Sequence, residues 1–178
     1  LLQESIDELN DTDQPKDYHF VQIADIKVTI SLDAHIPIDY IPELSERLMF
    51  YKRLSTLSDE EEILIIQNEM SDRFGELPQS IFNIFYVLRV KIMASRIGVK
   101  SIVSEYGSIV IRFKYSINSY GAILEDSLGH LGVIRRNSIR VNESTGWQKN
   151  LMDVLKTVLE THQRALNLLE ISENENNG

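Results

Sequence analysis

From Ile26 to Asp33 apolar and polar residues alternate, with Ile26, Val28, Ile30 and Leu32 on one side and Lys27, Thr29, Ser31 and Asp33 on the other. A period of two predicts a half-buried strand. Pro37 and Pro42 then bound a short segment expected to be extended, because the residue before a proline is driven out of the helical region. Pro42 suits a first helical turn, and a helix is expected from about Pro42 to Leu54 with Leu44, Leu48 and Tyr51 on one side. Ser58 and Glu61 have capping-box spacing, and the run Asp59-Glu60-Glu61-Glu62 lies where the helix dipole favours negative charge, so a second helix is expected from about residue 59. Its apolar stripe is Ile63, Ile66, Met70 and Phe74.

Gly75 and Pro78 separate that helix from a third over about 78–97, with Ile81, Ile84, Phe85, Leu88 and Ile92 inward and Gly98 closing it. Ile102-Val103 and Ile109 to Phe113, joined through Glu105-Tyr106-Gly107-Ser108, predict a hairpin in which Ile109, Ile111 and Phe113 share a face. A helix over 119–129 and a second hairpin turning at Asn137-Ser138 follow. Trp147, Leu151, Val154, Val158, Ala165 and Leu169 trace one long amphipathic helix. Segregated helices and hairpin-linked strands predict an α+β fold: a small, mainly antiparallel sheet, a helical layer and a long C-terminal helix. Residues 1–19 read as the end of an upstream helix, Leu1–Leu9, followed by a polar linker, with a domain over 20–171 and a disordered acidic tail over 172–178. A first residue other than Met reads as an internal start.

At 178 residues and 43% hydrophobic composition, the chain has enough apolar material for one core. Its net charge of -9 repels a phosphate backbone, so direct nucleic-acid binding is not expected of the chain as a whole. The absence of cysteine removes disulfides, thiolate metal sites and thiol nucleophiles. No apolar run reaches membrane-spanning length, and no basic leader precedes Leu1, so the expected setting is the cytoplasm, without membrane contact and as a monomer.

Enzymatic motifs are missing. No G-x-x-x-x-G-K-[ST] loop cradles a nucleotide phosphate, no G-x-S-x-G elbow presents a serine, and His19, His35, His130 and His162 have no metal-binding spacing. No catalytic, cofactor-binding or metal-binding residue is therefore assigned. Two charged clusters remain. On the second predicted helix Glu62, Ile65, Glu69 and Asp72 lie opposite the apolar stripe, placing two neighbouring carboxylates beside an exposed aliphatic. Such a face is either solvated surface or a docking patch for a basic partner. Arg135, Arg136 and Arg140 are the local basic cluster, with Arg136 and Arg140 expected close together; they protect a sheet edge or bind an anion.

Three blocks carry a resemblance. They are Asp33-Ala34-x-Ile36-Pro37-x-Asp39-Tyr40-Ile41-Pro42, Arg47-Leu48-x-x-Tyr51-Lys52-Arg53-Leu54, and Glu69-x-x-Asp72-Arg73-Phe74-Gly75-x-Leu77-Pro78. In this order they resemble the C-terminal domain of the bacterial transcription-repair coupling factors, ATP-driven DNA translocases that remove stalled RNA polymerase and recruit excision repair. The resemblance implies a regulatory, non-catalytic domain, with ATP and Mg bound by motor domains elsewhere in the parent protein. It also implies that the domain packs on an N-terminal UvrB-like module of the same protein, masking the surface that recruits UvrA until RNA polymerase is engaged. Glu69 and Asp72 match the acidic positions that face an arginine-bearing surface of that module, and both are expected to be replaceable without disturbing the fold. Ser71 departs from the usual aliphatic. The alternatives are an accessory nucleic-acid-binding domain using Arg135, Arg136 and Arg140, and a small enzyme with an enclosed titratable pocket.

Overall fold

The computed structural model describes residues 26–117 and 121–176, with side chains as far as Arg164. The predicted helix Leu1–Leu9 and linker 10–19 lie outside the described residues. Among the described residues the elements run β1 (Lys27–Thr29), α1 (Leu44–Ser55), α2 (Glu60–Phe74), α3 (Gln79–Arg96), β2 (Val99–Glu105), β3 (Ser108–Phe113), α4 (Gly121–Leu128), β4 (Val133–Arg135), β5 (Ser138–Asn142) and α5 (Trp147–Asn176). The fold is α+β. Where the chain length suggested one core, the residues form two compact units, one up to Ile92 and one from Met93 onward.

The first unit is helical. β1 is shorter than the alternating run because Leu32 N–H bonds back to Ile30 O at 2.8 Å, a tight turn that ends the strand. The segment between Pro37 and Pro42 is a turn rather than extended: Tyr40 and Ile41 both donate to Pro37 O, which the fixed φ of proline favours. Helix α1 starts after N-cap Glu43, and its inward face is Arg47, Phe50 and Leu54. Leu44, expected inward, is exposed. The reason is polar: the Arg47 guanidinium donates to Ile41 O at 2.7 Å and Pro42 O at 2.8 Å, so this buried side chain satisfies two carbonyls of the preceding turn and sets the roll of the helix.

At the start of α2 the N-cap is Asp59, not Ser58; Asp59 Oδ1 accepts from Glu62 N, and Glu62 Oε2 accepts from Ser58 N at 2.7 Å. Each side chain thus satisfies a backbone donor at the helix start, one residue later than the sequence spacing suggested. Ile63, Ile66 and Met70 of α2 and Ile81, Ile84, Phe85, Leu88 and Ile92 of α3 are buried as expected, joining Ala34, Ile36, Ile41, Phe50, Leu54, Leu57 and Leu77 in one core. Two tyrosines tie the non-helical segment to it. Tyr51 Oη accepts from Ile36 N at 2.8 Å, and the Tyr40 hydroxyl donates toward Met70 O and Gly75 O.

The second unit pairs its four strands antiparallel in the order β2-β3-β5-β4. Tyr106 and Gly107 link β2 to β3 with φ of 50° and 71°, the two consecutive positive values of a type I′ hairpin turn. The second turn falls at Arg136-Asn137, one residue before its expected place, with Arg135 opposite Ser138. Ile109, Ile111, Phe113, Ile139 and Val141 are buried, and so are Leu124 and Leu128 of α4 and Leu151, Val154, Leu155 and Val158 of α5. Before β4, Gly132 passes so close that an added Cβ would meet Ile139 Cγ2 at 2.8 Å, with Val154 Cγ2 at 3.8 Å. The backbone of α5 stays helical to Asn176, within the segment expected as a tail.

Two stability predictions follow from burial. Gly132→Ala is expected to destabilise the chain by about 1–3 kcal/mol through overpacking, read as a lower midpoint in urea unfolding. Lys91 is fully buried, and burial pushes its ammonium down to about 8. The folded state therefore binds this proton more weakly than the unfolded state. The cost is complete below about pH 8 and is relieved as pH rises toward the ordinary lysine range. Lys91→Met is expected to abolish the rise in stability that relief of this cost gives the parent chain between about pH 8 and 10.5, read from parallel denaturation curves.

Candidate functional site

Helix α2 presents an outward ridge. Taking about 100° per residue, Glu61, Ile65, Asn68 and Asp72 lie farthest from the buried stripe of Ile63, Ile66 and Met70, and all four are exposed. Ile65 is 63% exposed and its neighbour Leu64 47%, so two aliphatic side chains stand in water beside carboxylates. The helix is firmly held by the reciprocal Asp59 and Glu62 contacts at its start and by the Tyr40 hydroxyl at its end.

The four residues singled out from sequence occupy unlike places. Ile65 and Asp72 are on the open ridge. Glu62 is half-buried, its carboxylate engaged by Ser58. Glu69 turns to the flank facing α1. There Arg53 Nη1 and Nη2 donate to its two oxygens at 2.8 and 2.5 Å, a fork-to-fork pair, while Arg73 Nη1 lies 3.4 Å from Oε1. Arg73 also donates to Glu46 Oε1 at 2.5 Å. Both guanidiniums lie over the Phe50 ring, 5.4 and 5.5 Å from its centroid, and Arg73 is 4.8 Å from that of Phe74. Hydrogen bonding from Arg53, with the charges of Arg53 and Arg73 adding to it, holds the Glu69 carboxyl below the usual carboxylate range against the opposing effect of burial. Glu69 is thus an intramolecular bracket, and replacing it removes a contact between α1 and α2 that the helical pattern alone did not reveal.

Sequence reasoning missed Glu61, Leu64 and Asn68 on the ridge, and Arg53, Arg73 and Glu46 on the flank. A helical projection centred on Met70 finds the first three. The Arg53–Glu69 pair spans 16 residues and has no local signal, whereas Arg73 follows Glu69 at helical i,i+4 spacing.

The arginine cluster is also split. With the turn at Arg136-Asn137, Arg136 leaves the strand and is not paired with Arg140, while Arg135 and Arg140 share the solvent face because side chains alternate along each strand. In this hairpin the closing pair is Arg135–Ser138, so Ile134 directs its carbonyl to the free edge of β4, where Arg135 Nη1 donates to it at 3.2 Å. Among the histidines, His35 Nδ1 lies 2.7 Å from Asp33 Oδ1, and His130 and His162 are apart from it in sequence. No group of three or more metal-ligating side chains occurs among the described residues, and no helix there is long and apolar enough to cross a membrane.

These features define a small α+β domain: a helix held at both ends with a mixed acidic and aliphatic ridge, beside a helical core that leaves the ridge in solvent. The family model described as the TRCF domain matches residues 30–121, and the chain belongs to that family. Over 102 residues it is 33% identical to a transcription-repair-coupling factor of Buchnera aphidicola, covering 55% of this chain and 12% of that protein. Over 171 residues it is 26% identical to the transcription-repair-coupling factor of Rickettsia typhi, covering 96% of this chain and 15% of that protein. The chain thus spans about a seventh or less of the length of these relatives. The crystal structure of the C-terminal domain of a transcription-repair coupling factor superposes with a TM-score of 0.67 at 18% identity, covering 79% of this chain and 95% of that one, which establishes a shared fold.

The Glu69 bracket gives an acid-limb prediction. A carboxyl whose folded pKa is depressed contributes stability that is present above the ordinary carboxylate range and lost as pH falls through the folded value. Glu69→Gln is expected to lower stability at pH 7 by about 1 kcal/mol, discounted for partial exposure, and to show little difference from the parent chain near pH 2. Melting curves at the two pH values check this.

Proposed function

We propose that this chain is a non-catalytic, autoinhibitory interaction domain of an ATP-driven DNA translocase that couples transcription to nucleotide excision repair in the bacterial cytoplasm. On this reading α2 docks on the N-terminal UvrB-like module of the same protein and masks its UvrA-binding surface until RNA polymerase is engaged. ATP and Mg serve the motor domains; this chain carries no nucleotide-binding loop and takes no cofactor.

The observation that carries the proposal is the exposed ridge of α2, where Ile65 and Leu64 stand beside Asp72 on a helix held at both ends. A latch must hold at rest and release on a signal, and a modest interface with a few charge pairs around an aliphatic centre suits that better than a large apolar one. Asp72 has no ion-pair partner among the described residues and is open to an arginine of the module. Glu69 contributes the remaining charge while holding Arg53 and Arg73 at the flank, and Glu62 contributes through the N-terminal cap that fixes the ridge. Ser71 is exposed on the same helix and supplies little apolar contact where an aliphatic is usual.

In a calorimetric titration of the chain against the purified N-terminal module, Asp72→Lys is expected to weaken binding at least tenfold, since a like charge then faces the module's arginines. Ile65→Ala is expected to weaken it about fivefold while leaving the melting temperature unchanged, because the side chain is exposed. Wild-type affinity in both variants refutes the docking face, and UvrA added as competitor is expected to displace the parent chain.

A further inference from the structure

Charge in this chain is segregated. Between Met93 and Asn142 there are seven Lys and Arg residues against three Asp and Glu, a local net charge of +4 in a chain of net charge -9. The register of the second unit shows where part of that excess lies. On the face of its sheet opposite Ile109, Ile111 and Ile139, Val103, Val110, Arg140 and Val133 form one row across β2, β3, β5 and β4, and Ser101, Arg112, Ser138 and Arg135 form the next; Val110 is buried, and the face opens to solvent at Arg140, Val133 and Arg135. Arg112 is committed to Glu105, whose two oxygens it holds at 2.9 and 2.8 Å. Arg135, Arg136 and Arg140 are exposed, and Arg135 uses one donor on the Ile134 carbonyl and keeps the rest of its fork.

Tyr106 lies in the turn between β2 and β3, at one end of the sheet. It is fully exposed and adopts φ +50°, in the left-handed region that a bulky residue enters only at a cost. The first position of a type I′ turn is served better by Asn or Gly, and an unburied ring gains nothing from packing in return. The turn is anchored to the sheet by Glu143 N–H donating to Gly107 O at 3.0 Å, so the turn that carries Tyr106 lies beside the end of β5, the strand that carries Arg140.

From this juxtaposition we infer that the solvent face of β5 and β4 binds single-stranded nucleic acid, with Arg140, Arg135 and Arg136 on successive phosphates and Tyr106 stacked on a base. The surface combines what such binding uses: cations spread over two adjacent strands and the turn that joins them, and an aromatic face that accepts any base. β5 is about 14 Å from end to end, room for a short run of nucleotides. This site is separate from the α2 ridge, and the two functions stand or fall independently.

The test is a fluorescence-anisotropy titration of the full chain with a labelled thymidine 12-mer at 50 and 200 mM salt. Three phosphate contacts to a single strand predict about twentyfold weaker binding at the higher salt. Arg135→Gln with Arg140→Gln is expected to weaken binding at least tenfold at 50 mM salt and to reduce the salt slope to about a third. Tyr106→Asn is expected to weaken it about tenfold while the melting temperature stays the same or rises, which separates lost stacking from lost folding. No binding at 50 mM salt, or unchanged affinity in the arginine pair, overturns the proposal. So does equal binding of duplex DNA or polyglutamate with no effect of Tyr106→Asn, which marks the patch as a general anion surface.

Discussion

The fork-to-fork pair between Arg53 and Glu69 governs how the first unit presents itself. It joins α1 to α2 across the edge of the core, and Arg73 extends it to Glu46, so four alternating charges form a network whose two guanidiniums lie over the rings of Phe50 and Phe74. An isolated surface ion pair contributes little, but a bidentate pair within a network over aromatic faces resists rearrangement, because moving one member leaves others unmatched. The buried stripe of Ile63, Ile66 and Met70 fixes the roll of α2, and the bracket fastens its flank to α1. Glu69 lies on that flank, and the outward line is Glu61, Ile65, Asn68 and Asp72.

The motif blocks then divide by physical role. Arg47 and Tyr51 are polar residues turned inward to satisfy backbone groups of the segment before α1: Arg47 on the carbonyls of Ile41 and Pro42, Tyr51 on the N–H of Ile36. Tyr40 does the same for the carbonyls that end α2. These three contacts dock a non-helical segment on a helical core without leaving its buried backbone unpaired. The motif Asp33 to Pro42 is therefore scaffold, and the outer face of α2 stays in solvent.

The second unit solves a different problem. Its sheet buries Ile109, Ile111, Ile139 and Val141 on one face and Val110 on the other, which leaves the outer side of β5 and β4 and the β4 edge in water. Arg135 covers the one outward carbonyl of that short edge, and the Glu105–Arg112 pair crosses the Val103–Val110 row on the face. Charge here is spent on keeping an open sheet from pairing with another strand, and the same arginines give the unit a sign opposite to that of the chain.

What the sequence by itself determined is the α+β class, the helix stripes of α2 and α3, the hairpin at Tyr106-Gly107 and the family, because periodicity, turn chemistry and motif spacing are local and carried by neighbouring residues. Even the cap of α2 was legible to within one residue, Asp59 for Ser58. The division into two units, the outward turn of Leu44, the one-residue shift that separates Arg136 from Arg140, and the capture of Glu69 by Arg53 were decided only by tertiary structure. Each depends on residues distant in sequence competing for the same space or the same charge. Sixteen residues separate Arg53 from Glu69, and no local pattern says whether a carboxylate on a helix meets a partner protein or its own neighbouring helix.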